Sequence, residues 1–143
     1  MKAHVEYIEW RDTKGLNEDI KKSISDLKFL RDELHFLRDL AAAHTLEIIY
    51  GTSHEAAQKI AANIHMHENK GQRLIKDLRA HSNNLQTLID EIDVPRELKD
   101  YKNTHYKLMV ETMDFYCDVK KTKRNIFEML STILKSGKKK KQS

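Results

Sequence analysis

The sequence predicts an all-α fold, an antiparallel three-helix bundle with long, coiled-coil-like helices, and three observations carry that prediction. The chain is 34% charged, with only four glycines and one proline in 143 residues, too few breakers for the turns of a many-stranded fold. Apolar residues recur at threes and fours over three runs of about 35 to 40 residues, each roughly 50 to 60 Å long as a helix. Short connections join the runs, so they bury their stripes only by folding back on one another.

Residues 1–15, opening on "MKAHVEYIEW", form an N-terminal segment whose Val5, Tyr7, Ile8 and Trp10 need cover. It is expected to pack on one end of the bundle. The first helix is expected over about 16–50, where Ile20, Ile24, Leu27, Leu30, Leu34, Leu37, Ala41, His44 and Ile48 make one stripe that Phe29 and Phe36 broaden. "YGTSHE" ends it: Gly51 suits the left-handed conformation of a helix stop, and Thr52 with Glu55 makes a capping box for the next helix.

The second helix, about 53–92, has the most regular pattern: Ala57, Ile60, Ile64, His67, Gly71, Leu74, Leu78, His81, Leu85, Leu88 and Ile92. The phase passes through Gly71 unshifted, which argues for one helix; a break near Gly71 would give a four-helix bundle instead. In "IDVPRE", Pro95 suits the first turn of a third helix, with Asp93 beside its positive end. That helix, about 95–136, repeats the rhythm at Leu98, Tyr101, His105, Leu108, Thr112, Phe115, Val119, Thr122, Ile126, Met129 and Ile133. It is expected to stop near Gly137, leaving 137–143 as a disordered, lysine-rich tail.

The formal charge of +4 is matched by Lys138, Lys139, Lys140 and Lys141, so the remainder sums to zero. Contact of these lysines with an anion, nucleic acid or the ribosome is a secondary expectation. No stretch approaches the roughly 20 apolar residues of a membrane span, and the start lacks the apolar run of a signal peptide. A cytoplasmic protein is expected, and a single Cys117 suits a reducing compartment.

The seam carries histidines where leucine is the ordinary choice. With connections centred near residues 52 and 94, residue i pairs with 104 − i and 188 − i, which sets His81 and His105 about half a turn apart, near Ser23 and Ile24. The same register puts His67 beside Leu37 and Thr122, and His44 near Ile60 and Met129. A polar layer that fixes helix register is one role for the His81 and His105 pair. A transition-metal site, zinc for example, is the other, with His4 or Glu6 of the N-terminal segment approaching as a further ligand. A pH-dependent switch is a third.

Catalytic motifs are missing. No glutamate has a histidine three residues on, as a bundle di-iron site needs, and the zinc-protease spacing fails at Gly71 and Gln58. His65 and His67 are two apart and point in different directions on a helix. His35 with Asp32 and Asp39 reads as a surface charge pair. The chain has no phosphate loop and no Cys-x-x-Cys pair, so neither enzyme activity nor a cofactor is expected.

Interaction is the better expectation. Tyr106, Met109 or Val110, Met113 and Tyr116 form a second apolar stripe on the third helix, suited to a partner helix, most simply from a second copy. Acidic residues gather at one end (Glu6, Glu9, Asp12, Glu18, Asp19, Asp90, Glu91, Asp93, Glu97, Asp100) and Lys120, Lys121, Lys123, Arg124 and Lys135 at the other. The lysines are not read as interleaved with aromatics in the manner of a single-strand binding face. The stretches "MKAHVEYIEW" and "DEIDVPRELKDYKNTHYKL" resemble a group of small bacterial all-helical proteins of unassigned function, a resemblance that spans nearly the whole chain and implies a bacterial cytoplasmic protein but no activity. A non-catalytic interaction or structural protein is the resulting expectation, self-associating or serving as an adaptor, with metal binding and nucleic-acid association as alternatives.

Overall fold

The computed structural model describes residues 12–90 and 95–142, with side chains over 12–88 and 96–136. Among them the chain is all-helical, with no strand. The elements are α1 (Thr13–Ala43), α2 (Thr45–Gly51), α3 (His54–Asp90) and α4 (Pro95–Gln142). None of these helices is long and apolar enough to cross a membrane.

Four helices stand where the sequence predicts three, and the extra one arises at His44, not Gly71. His44 leaves helical geometry at φ −113° and ψ 22°, its N–H shared between the carbonyls of Leu40 (3.2 Å) and Ala41 (3.3 Å). The Thr45 hydroxyl donates back to the carbonyls of Ala41 and Ala42 at 3.1 and 3.0 Å, a local competition that bends helices. The expected 16–50 helix is thereby split. α3 passes unbroken through Gly71, whose missing side chain has a packing reason: a Cβ there would lie 3.1 Å from Cζ of Phe115.

The helix ends correct several expectations. α1 starts before residue 16, because the Asp12 carboxylate accepts from the Gly15 N–H at 2.7 Å and caps the first turn. Gly51 is the last residue of α2 and shows no left-handed φ; it is small because a Cβ would lie 2.8 Å from Cγ1 of Ile133. Ser53, not Thr52, caps α3, its hydroxyl accepting from Ala56 N–H at 3.0 Å. The Thr52 hydroxyl instead donates to the Ile48 carbonyl at 2.6 Å. Pro95 opens α4 as expected, while Asp93 lies outside the described residues. α4 then runs past Gly137 to Gln142. One glycine costs a helix only about 1 kcal/mol, and the lysines after it are good helix formers.

The chain divides into two compact units, Met1–Phe29 with Gly71–Phe115, and Leu30–Lys70 with Tyr116–Ser143. In the first, stretches of α1, α3 and α4 share a core of Leu16, Ile20, Leu27, Leu74, Leu78, Leu85 and Phe115. Their directions follow from the contacts. Asp19 meets His105 and Ser23 meets Met109 at the same offset of 86 residues, so α1 and α4 run parallel. His81 with His105, and Gly71 with Phe115, each add to 186, so α3 runs against α4.

The second unit has its own core, built from Leu30, Leu34, Leu37, Ile48, Ile64, Val119, Ile126 and Leu130. Glu68 of α3 receives Arg38 (3.1 Å) and His35 (3.2 Å) of α1. His35 therefore pairs with Glu68 and not with Asp32 or Asp39, which lie beside Arg31 and Arg38 at 3.9 Å. Phe29 and Phe36, read as broadening the core stripe, are 62% and 57% exposed. Leucines already fill the inward positions beside them, so these rings are left on the flank.

Candidate functional site: the buried histidine pair

The first unit brings His81 and His105 together as the register requires. His81 comes from the late turns of α3 and His105 from α4, and only 3% and 0% of their surface is exposed. Nε2 of His81 lies 3.0 Å from Nδ1 of His105. On the far side of His105, Nε2 lies 3.1 Å from the Asp19 carboxylate of α1.

These three groups set one another's protons. A carboxylate only accepts, so Nε2–H of His105 donates to Asp19; when that ring is neutral its Nδ1 accepts from the Nε2–H of His81. Tyr101 completes the cluster, its ring stacked on that of His81 at 4.0 Å and 2°. Its hydroxyl donates to the His81 backbone carbonyl at 2.8 Å. One turn further on, the Ser23 hydroxyl donates to Sδ of Met109 at 3.4 Å.

Burial, and after it the neighbouring His105, pulls His81 down from 6.5 to about 4. Burial pushes the Tyr101 hydroxyl upward. Both groups are thus held neutral near pH 7. The cluster has the chemistry of a satisfied polar layer in an apolar core.

As metal ligands, the two facing nitrogens form a partial set. Two imidazoles on one tetrahedral zinc would have nitrogens about 3.3 Å apart, close to the 3.0 Å found. Asp19 stands where a carboxylate orients a ligating histidine from behind rather than as a ligand itself. Among the described residues, no group of three or more His, Cys, Asp or Glu is placed to hold an ion. His4 and Glu6, the expected further ligands, lie outside the described residues.

The other predicted positions sort as follows. His67, in the second unit, bonds Thr122 through Nε2 at 2.9 Å, the neighbour its register gave. Burial is the main cause that lowers its pKa, Asp118 opposing and Lys70 adding to the shift. His65 is exposed and sits 3.2 Å from the Asn69 side-chain amide. His44 keeps a buried Nδ1 without a hydrogen-bond partner, 3.7 Å from Glu47. Of the expected partner stripe, Tyr106 and Met109 are half-buried, whereas Met113 (first unit) and Tyr116 (second unit) are exposed. Lys138, Lys139, Lys140 and Lys141 lie on the last turns of α4, where side chains are not described.

Sequence reasoning missed Asp19, which it placed in an acidic end. The signal was present: Asp19 is one turn before Ser23, the residue the register sets opposite His81. The interleaving of lysines with aromatics was also missed. Lys120 lies over the Tyr116 ring at 4.6 Å and Lys123 over Phe127 at 5.9 Å, so two of the α4 lysines each cover an aromatic ring. No family model, curated protein or solved structure matches the chain.

Proposed function

We propose that the protein is a non-catalytic interaction module of the cytoplasm, an all-helical protein that associates with itself. The observation that carries this reading is the apolar surface of the second unit, where Phe36, Leu46, Tyr50, Met66, Phe127 and Leu134 are all more than a third exposed. Large apolar side chains left in water gain from cover by a partner. A non-catalytic role is supported by the histidines: the buried ones bond to each other, to Asp19 or to Thr122, and His105 has no surface for a substrate to touch.

Light scattering over a concentration series tests the reading. A mass near twice the 16.8 kDa chain is expected at roughly tens of micromolar. A single-chain mass throughout the series would remove it.

A second reading is favoured by the facing nitrogens of His81 and His105: a transition metal such as zinc, held with His4. Elemental analysis of tag-free protein decides it. About one metal per chain, lost on His105→Ala, would establish the site, and a metal-free protein would leave the pair as a polar layer.

A further inference from the structure

Within the second unit, Lys123 of α4 bonds Glu33 of α1 at 3.0 Å, which fixes the faces these helices turn toward each other. At 100° per residue, Leu40 lies in the same row of α1 as Glu33, Phe36 in the next row outward, and Asp32 with Asp39 beyond it. On α4, Tyr116 and Phe127 share the Lys123 row, with Lys120 and Arg124 beyond. The result is a face in which Phe36 and Leu40 on one side and Tyr116 and Phe127 on the other flank the Glu33–Lys123 ion pair, with margins of opposite sign beyond them. Phe36 is 57% exposed and Phe127 39%; Asp32 and Asp39, each 3.9 Å from the arginine before it in sequence, keep 75% and 79% of their side-chain surface open to a further partner.

Such a pattern complements itself. A two-fold axis along the helices brings the α1 row of one copy over the α4 row of the other, twice over. Asp32 and Asp39 then meet Lys120 and Arg124 of the second copy, while Phe36 and Phe127 are buried between them. An acidic or a basic partner would satisfy one margin and be repelled by the other.

We infer that this α1–α4 face of the second unit is a homodimer interface, closed by two symmetry-related contacts between the Asp32 and Asp39 margin and the Lys120 and Arg124 margin. The inference rests on the self-association proposed above and names the surface and pairing that produce it.

Charge reversal tests it by sedimentation velocity. Asp32→Lys with Asp39→Lys makes both margins basic, and Lys120→Glu with Arg124→Glu makes both acidic, so each variant alone should dimerise at least tenfold more weakly. Mixed one to one, the two should recover a heterodimer, since both contacts are then complementary. Recovery on mixing also shows that both variants are folded.

A wild-type dimer indifferent to both reversals, or weakened variants that fail to recover on mixing, would overturn the face while leaving self-association standing. A wild type that stays monomeric overturns both. If that monomer retards a labelled single-stranded oligonucleotide unless Lys120 and Arg124 are reversed, the face belongs to nucleic acid instead.

Discussion

Nε2 of His81 and Nδ1 of His105 face each other across 3.0 Å, and with His105 neutral the Asp19 carboxylate behind it leaves the hydrogen between the rings on His81. The arrangement is satisfied when both rings are neutral. A proton added to His105 would have its charge balanced by Asp19, but a proton on each ring would set two cations side by side in a core that excludes water.

Stability should therefore fall on mild acidification. His81 titrates near 6.5 when unfolded and about 4 when folded, so between those values the unfolded chain binds a proton that the folded one refuses. The contribution is full above pH 6.5 and is lost as pH falls toward 4, amounting to roughly 3 kcal/mol at most. His67, also lowered, adds in the same direction. Urea unfolding from pH 7.5 to 4.5 measures this. A midpoint that stays level over that range would contradict neutral burial of the pair.

Gly71 should resist the usual gain from alanine. Gly to Ala inside a helix is worth about 1 kcal/mol, yet the added Cβ would meet Cζ of Phe115 at 3.1 Å, and that ring is 1% exposed. Gly71→Ala is expected to lower stability by about 1 kcal/mol. With Phe115→Leu already in place, the same change should raise it by roughly 0.5 to 1 kcal/mol. A thermal-melt double-mutant cycle with no coupling would refute the close packing.

At the start of α3, two neighbouring hydroxyls make different bonds, and only one is a cap. Ser53→Ala removes the acceptor for Ala56 N–H and should cost about 1 kcal/mol. Thr52→Ala removes a bond to the Ile48 carbonyl, which keeps its helical partner in Thr52 N–H at 2.9 Å, and should cost less than half as much. Denaturant midpoints of the two variants give the order directly.

Much of this architecture was legible because a long heptad phase and two short connections leave little freedom. The pairing of His81 with His105 follows from them, and the observed sum of 186 lies within two residues of the expected 188. What escaped depends on choices periodicity does not encode. The split at His44 hinges on where the Thr45 hydroxyl points. Ser53 and Thr52 are both good N-cap residues on paper. Asp19 looked like one more surface acid, because its reach across to α4 depends on a rotamer. Phe29 and Phe36 looked like core, because apolar character does not say which residue of a crowded flank is left outside.

The complete enclosure of His105 has a consequence for reactivity. His54 and His65 lie in the open, so an imidazole-acylating reagent would reach them directly. His105 and His81 would react only when the helices around them part, at a rate set by the frequency of that opening. The slow histidines are thus a built-in gauge of how often this core breathes.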